Sequence, residues 1–554
     1  VLLEALLALS LAREPYPTQE GDARLDEYQF AQVQRVDVSD GKTKVSAETN
    51  APTPGAGTWP IRVFIDNAAG PAGPLELEFR GYSDGSHSVT RTIDLRAGER
   101  RLVSLTAPVE LRSGTLVARG PGTHGSGGSL YFHTTWAPNK VVLCLGRPDA
   151  YERFVGKAPN YSGEASLQVV AVPLNEAPDA LAALVGYDAV VLPDSGALEE
   201  LDETQRRALE AYVAVGGNLI VEGPLRGARA LPLLTGTAAG LHPYGFGEVW
   251  VHDGAPLELH LSMRSELPVN PQGALPDYEL RYGGNRFEAL LPQATAPLGR
   301  FLFIIGLFTL AIGPGSILVA RRRGPAMLLL TIPVTAAITC GLIIGYSLIA
   351  DGFTVHASSY GVTLLDARAH RAVTVGVNAY YANLSPPKAT YSAMTAVVSP
   401  WGQERARFAA DMAWRDGLTM GSDFIPSRLY REWGFLSVEP TRARLVLKRQ
   451  GDALLVQNAL GHPIDELEVN VDGVAYHVED VRDGGEAALV RGELPSFDQA
   501  HPDRFGAPIM IDVRAPLEPG RFRARLSDSG FVPTGALVVQ LHPGEQWVLG
   551  ELEP

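Results

Sequence analysis

The sequence predicts a multidomain, β-rich, membrane-anchored protein: a β-sandwich, an α/β domain, a two-helix transmembrane hairpin and a C-terminal β-sandwich region. Three observations carry this. Two uncharged apolar runs of 20 and 25 residues stand only five residues apart, with three arginines between them. Segments that alternate apolar and polar residues lie on both sides of that pair. From Lys140 the pattern changes to nearly continuous apolar stretches, as parallel strands covered on both faces require.

The bulk numbers agree. A chain of 554 residues exceeds one ordinary core, so several domains of roughly 100 to 200 residues are expected. Charged residues make up 20%, apolar residues 45%, and Gly plus Pro reach 99, a mixture of loop-rich, sheet-rich globular domains rather than of disorder. The net charge of -15 excludes broad nucleic-acid affinity, which needs clustered Lys and Arg over a sizeable face. Only six of the 47 basic residues are Lys, a bias that fits a GC-rich bacterial genome. The two cysteines, Cys144 in KVVLCLG and Cys340 in TAAITCGLIIG, lie in different surroundings. No disulfide between them is expected, and two are too few for a cysteine-built metal site.

The elements follow in order. Residues 1–26 open with VLLEALLALSLA, in which Ser10-Leu11-Ala12 is an acceptable small-x-small cleavage site. They read as a signal-like segment and linker; Glu4 and the lack of a basic start leave a short membrane-proximal helix as the alternative. Residues 27–138 carry short alternating segments such as WPIRVFIDN, PLELEFRGY and RTIDLRAGE between Gly, Pro, Asn and Asp turns, the pattern of an immunoglobulin-like β-sandwich. Within them Asp84, Ser86 and Ser88 spell D-x-S-x-S, the ligand order of a von Willebrand A metal site. That site needs a buried apolar strand before the aspartate, and LELEFRGY alternates, so SDG is read as a hairpin turn. RGPGTHGSGGS is read as a flexible loop rather than a phosphate cradle, for want of a P-loop lysine and a following helix.

Residues 139–265 form the α/β domain. KVVLCLG, LQVVAVP, YDAVVLPD and GNLIVEG are its parallel strands, with helical segments between the last three. The clearest helix starts at Asp202, with Gln205 completing a capping box. Leu209, Tyr212 and Val213 share its buried face, and Gly216-Gly217 ends it. FGEVWVHD is a further strand. His242, His252 and His260 fall at spacings that match neither a catalytic triad nor a helical metal site, so each is read as surface or packing.

The stretch YDAVVLPDSGALEELDETQRRALEAYVAVGGNLIVEGP resembles the middle of a class I glutamine amidotransferase-like domain, and YGFGEVWVHD is similar to the closing strand of membrane-bound relatives. The resemblance implies a flavodoxin-like fold with a nucleophile elbow after the fourth strand. Where the family carries a catalytic cysteine, this chain has Glu222, so amidotransferase chemistry is not expected. Asp194, Ser195 and Glu222 fall at the carboxyl ends of adjacent strands, where open α/β sheets bind ligands. They are the candidate ligand crevice; the plainer reading of Asp194-Ser195-Gly196 is a turn. No catalytic residue, cofactor or metal is assigned.

Residues 266–299 are rich in Pro and Gly and read as a linker. Residues 300–350 are the hairpin: Phe301–Ala320 and Ala326–Ala350 are each long enough, at about 1.5 Å per residue, to cross a core of about 30 Å. Arg321, Arg322 and Arg323 in the turn set the orientation, cytoplasmic by the positive-inside rule, while Arg300 and Asp351 add little opposing bias. Pro314, between Gly313 and Gly315, and Pro333 interrupt the helical ladder. Neither span holds an Asp, Glu, Lys, Arg or His from which to build a proton or ion path. Residues 351–441 are a β-rich domain whose Trp401, Trp414 and Trp433 are packing aromatics. Residues 442–554 are a β-sandwich in which Leu467, Val469 and Val471 alternate with Glu466, Glu468 and Asn470, and Asp472-Gly473 signals a hairpin.

The whole layout, with I-G-P, an arginine cluster and T-I-P in the second span, resembles a family of bacterial membrane proteins of unsettled activity. They bear an extracytoplasmic amidotransferase-like domain. The expected function is a non-catalytic envelope scaffold or sensor in the bacterial cytoplasmic (inner) membrane, with both large regions outside. Its partners are the bilayer and other envelope proteins, not nucleic acid. The alternatives are an accessory subunit of a membrane export or envelope-biogenesis complex, and a hydrolase using acidic residues of the α/β crevice.

Overall fold

The computed structural model describes residues 34–49, 58–82, 87–108, 111, 113–125, 127–131, 140–146, 167–192, 197–222, 239–252, 291, 298–351, 354–398, 411–451, 453–492, 516–526 and 528–553. The signal-like segment, Asp84, Ser86, Asp194, Ser195, His260, Trp401 and nearly all of the 266–299 linker lie outside them. The protein is mostly β-sheet, with two apolar helices long enough to cross a membrane.

The first eight strands are β1 (Gln34–Asp40), β2 (Lys44–Thr49), β3 (Thr58–Asp66), β4 (Gly73–Gly81), β5 (Ser88–Leu95), β6 (Arg100–Pro108), β7 (Ser113–Arg119) and β8 (Gly128–Tyr131). Their alternation sends one face inward. Ile61, Val63 and Leu105 from the sheet β1-β2-β3-β6 are fully buried, as are Leu75, Leu77, Phe79 and Leu116 from the sheet containing β5-β4-β7-β8. At about 25 cal/mol per Å², this shared apolar core is the main force holding the two sheets. The glycine-rich stretch after β7 corrects the expectation of a flexible loop, because it is bonded to the β1–β2 turn. Thr43 N donates to Gly122 O (3.0 Å), Thr43 Oγ1 to Pro121 O (2.9 Å) and Asp40 N to His124 O (2.9 Å).

The next unit is β9 (Lys140–Leu145), β10 (Leu167–Val172), β11 (Ala189–Leu192), β12 (Asn218–Glu222), β13 (Gly240–Tyr244) and β14 (Gly247–His252), with helices α1 (Ala197–Glu200) and α2 (Glu203–Ala214). β10-β9-β11-β12-β14 run parallel, and β13 adds an antiparallel edge. The α2 capping box forms as the sequence predicts: Asp202 Oδ1 accepts from Thr204 N and Gln205 N (both 2.8 Å), and Gln205 Oε1 accepts from Asp202 N (3.1 Å). Leu209, Tyr212 and Val213 are buried. Between β10 and β11, however, only the single 3-10 turns Leu174–Glu176 and Leu181–Ala183 occur. The reason is both local and tertiary. Pro173 and Pro178 deprive the segment of donors, and its apolar side is spent on the neighbouring sandwich, where Thr58 Oγ1 donates to Ala182 O (2.7 Å).

Helix α3 (Leu298–Leu310) passes through a π turn (Ala311–Gly315) into α4 (Ser316–Arg323); α5 (Leu328–Asp351) returns. The candidate spans are Leu302–Arg323, mean hydropathy 2.2, and Pro325–Gly345, mean hydropathy 2.3. Pro314 sits in the π turn, where wider winding accommodates a ring that has no N–H and would clash with the preceding turn. All three arginines remain helical, so the turn is tighter than the five residues expected and begins at Gly324, φ +93°. Cations suit the last turn of a helix, where carbonyl dipoles point outward, and glycine ends it without strain.

After the hairpin come β15 (Val355–Asp366), β16 (Arg371–Ala382), β17 (Ala389–Ser392), β18 (Thr395–Val398), β19 (Met412–Trp414), β20 (Gly417–Met420), β21 (Arg431–Pro440), β22 (Arg444–Gln450), β23 (Ala453–Ala459), β24 (Ile464–Val471), β25 (Val474–Val481), β26 (Glu486–Ala488), β27 (Val490–Arg491), β28 (Arg521–Leu526), β29 (Val539–Leu541) and β30 (Glu545–Glu553). One large sheet runs β18-β21-β16-β15-β30-β28-β24-β25-β27, with β29 beside β15 and β22-β23-β26 attached through β30. Hydrogen bonding therefore continues across the boundary expected at 442. In β24, Leu467, Val469 and Val471 face inward as predicted. The facing acids are not free surface: Glu468 is buried and accepts from Arg523 (2.6 Å), and Glu466 pairs with Arg525, each directly across the register. Asp472 and Gly473 take φ of 55° and 85°, the left-handed pair of a tight hairpin.

Strands from the two sides of the hairpin also share a sheet. β19 pairs in parallel with β5, Ala413 opposite Thr90, giving the order β17-β20-β19-β5-β4-β7-β8. Trp414 Nε1 donates to Thr106 O (3.1 Å) and Ser88 N to Asp411 Oδ1 (2.8 Å). The sandwich expected from residues 27–138 is thus completed by strands within 351–441. Trp414 and Trp433 are buried packing residues, the latter stacked on Phe424.

Candidate functional site

The strand ends come first. β11 stops at Leu192 and β12 at Glu222, and they are adjacent, with Leu192 opposite Val221. On its other side β11 borders β9, where the strand order reverses, since β10 lies beyond β9 rather than beyond β14. Asp194 and Ser195 follow Leu192 by two and three residues in the sequence and lie outside the described residues. The backbone of Glu222 ends the next strand, opposite His252. Cys144 lies in mid-sheet, in register with Ala171 and Val191, its side chain wholly buried.

A second arrangement was not visible in the sequence. Helix α2 lies between the parallel sheet and β21. From it Glu210 accepts a hydrogen bond from Tyr244 Oη and another from Arg371 Nη1 (2.8 Å), whose Nε donates to Asp366 Oδ2 (3.1 Å). The guanidinium also sits over the Tyr244 ring, 5.0 Å from its centroid. The Arg371 side chain is 10% exposed and that of Glu210 19%. Burial pushes the Tyr244 phenol up, with Glu210 adding to that push and Arg371 opposing it. Burial alone would lower Arg371; Tyr244, Glu210 and Asp366 reverse this and hold it above its ordinary value. On the other flank Arg91 Nη2 donates to Asp179 Oδ2 (2.6 Å) and Arg62 Nη2 to Glu176 Oε2 (2.8 Å), joining the sandwich to the segment before β11. Charge-assisted bonds of this kind fix relative position. No local pattern marks Arg371 or Glu210; the one sequence cue is an acid beside the buried face of an otherwise well-patterned helix.

Two histidine dyads complete the picture. His356 Nδ1 and His542 Nε2 are 2.9 Å apart, and His356 stacks on Tyr381. Burial, then His356, lowers the His542 pKa. His462 Nδ1 meets Asp528 Oδ2 at 2.7 Å. Partners 186 and 66 residues apart leave no motif in the sequence. No group of three or more His, Cys, Asp or Glu among the described residues is placed to hold a metal ion. Arg321, Arg322 and Arg323 form the exposed last turn of α4. No protein-family model and no curated protein matches the chain.

Proposed function

We propose that the chain is a non-catalytic, membrane-anchored protein of the bacterial envelope, and that the hairpin holds its β-rich regions outside the cytoplasmic membrane as a scaffold or sensor for protein or ligand partners. The observation that carries this is the β5–β19 pairing, backed by the Arg371–Glu210 bond. Segments before the first span and after the second are hydrogen-bonded to each other, and strands can pair only on one side of a bilayer. An even number of crossings satisfies that condition. The arginines ending α4 favour the cytoplasm for the turn, which supports the reading that both large regions lie outside.

The order of the parallel strands, second-first-third-fourth-fifth, supports a flavodoxin-like and hence amidotransferase-like reading of this unit. The two-sheet packing of β1–β8 supports the immunoglobulin-like reading of the first domain. Asp194, Ser195 and Glu222 remain the proposed ligand crevice of the sensor, because they follow strands at and beside the reversal of order.

The test is labelling of introduced cysteines with a membrane-impermeant reagent in a Cys340→Ser background, in which the remaining native thiol, Cys144, is buried. Asp94→Cys and Asp472→Cys, both at exposed side chains, label in intact cells, whereas Arg322→Cys labels only after permeabilisation. Labelling at 322 alone overturns the orientation. Affinity capture after gentle solubilisation separates the functional readings. Stoichiometric recovery of a multispan protein or membrane ATPase replaces the scaffold with the accessory-subunit alternative. Loss of a hydrolytic activity in folded Asp194→Asn and Glu222→Gln variants replaces it with the hydrolase.

A further inference from the structure

β15 begins at Val355, four residues after Asp351, the last helical residue of α5. A chain reaches at most about 3.6 Å per residue, so Val355 lies within roughly 14 Å of the end of α5, the helix that carries the second span. Three other segments meet at this end of the sheet. β16 finishes there, Ala382 opposite Val355, and continues into residues 383–388. Residues 426–430 lead into β21, with Arg428 N donating to Ala382 O (2.7 Å). Residues 533–544 carry β29, whose Val539 pairs with Val355, and His542 N donates to Ala357 O (2.8 Å).

The surface they make differs from the rest of the molecule. Among the described residues outside the hairpin, seven large apolar side chains are exposed, and four of them belong to these segments: Leu384, Leu429, Leu541 and Val538, the last 90% exposed. In a chain with a net charge of -15, segments 383–388, 426–430 and 533–544 contain Lys388, Arg428 and His542 and no Asp or Glu. Arg428 Nε is tied to Asn383 Oδ1 (3.1 Å), which keeps that basic side chain beside Leu384. Apolar side chains rimmed by basic ones, within reach of a span, suit the boundary between acyl chains and headgroups. Each basic group near an anionic surface adds to the attraction.

We propose that this end of the post-hairpin sheet rests on the bilayer that holds α3–α5, with Leu384, Leu429 and Val538 at the acyl–headgroup boundary and Lys388 and Arg428 against anionic lipid headgroups. The proposal rests on the reading of the hairpin as membrane-spanning. With two chain tethers and this contact, the sheet has a fixed tilt over the membrane instead of swinging on its linkers.

The test uses the full chain, Cys340→Ser, in vesicles of phosphatidylglycerol and phosphatidylcholine, with an environment-sensitive fluorophore on Val538→Cys, Ile338→Cys or Asp472→Cys and nitroxide lipids as quenchers. Position 338 is expected to be quenched by deep nitroxides, 538 by shallow ones with blue-shifted emission, and 472 by neither. Adding Lys388→Glu lowers the ratio of contacting to solvent-exposed probe at 538 by about fivefold or more. About 1 M salt, where the Debye length is about 3 Å, lowers it in the same direction. Deep quenching at 338 with solvent-like, unquenched emission at 538 overturns the contact while leaving the spans intact. An unquenched 338 overturns the spanning reading, and the proposal falls with it.

Discussion

Replacing Arg371 with methionine keeps most of the stem's packing and removes the only basic group bonded to both Glu210 and Asp366 among the described residues. Removing one partner of a fully buried ion pair costs about 3–5 kcal/mol, because the other is left as an uncompensated charge. The carboxylates here keep 19% and 13% of their side-chain exposure, and water reaching them offsets part of that cost, so about 2–3 kcal/mol is expected. The contact joins α2 to β16, so the loss is local: hydrogen exchange in residues 203–214 should quicken by about 30- to 150-fold at a tenfold change per 1.4 kcal/mol. Adding Glu210→Gln to Arg371→Met should recover about 1 kcal/mol, since one unpaired charge is then gone. Exchange in α2 unchanged by Arg371→Met, or strict additivity of the two substitutions, would mean that this bond does not hold α2 against β16.

Two other outcomes follow from single groups. The folded-state pKa of His542 is depressed, so the unfolded chain binds the proton first. The His542 contribution to stability is complete above the ordinary histidine value of about 6.5, declines as pH falls below it and levels off under the folded pKa. An NMR titration checks this, and a His542 midpoint at or above the ordinary value rules it out. Gly473→Ala places a side chain at φ +85° in the β24–β25 turn, where the left-handed backbone costs roughly 1–2 kcal/mol. Nothing stands within 4 Å of the added methyl, so the urea midpoint should fall without any change in slope.

What was legible in the sequence is what neighbours in the chain decide. Asp202 and Gln205 are three residues apart and both belong to one helix start. Leu467, Val469 and Val471 share a strand face because β-structure repeats every two residues. The spans are visible in composition alone. What escaped depends on partners that local patterning does not encode. Before β11, Pro178 was a local cue against a helix, but the bond from Thr58, about 120 residues earlier, to the Ala182 carbonyl had no local sign. Glu468 looks like a solvent-facing acid until Arg523 is placed across from it. For the candidate crevice, the apolar runs located the strand ends, but their side-by-side order emerges only from the ladder that puts β9 between β10 and β11.

The pairing of β5 with β19 also imposes a schedule on how the protein is made. Thr90 and Met412, hydrogen-bonded in the finished molecule, are 322 residues apart. At roughly 5–20 residues per second, the free edge of β5 waits on the order of 15 to 60 s for its partner. On the proposed topology, both spans are inserted and the chain is re-exported during that wait. An unpaired strand edge is a template for wrong pairing, so biogenesis of the first sandwich is coupled to completion of the hairpin. A fragment truncated before α3 should therefore be prone to self-association even if every residue of β1–β8 is present.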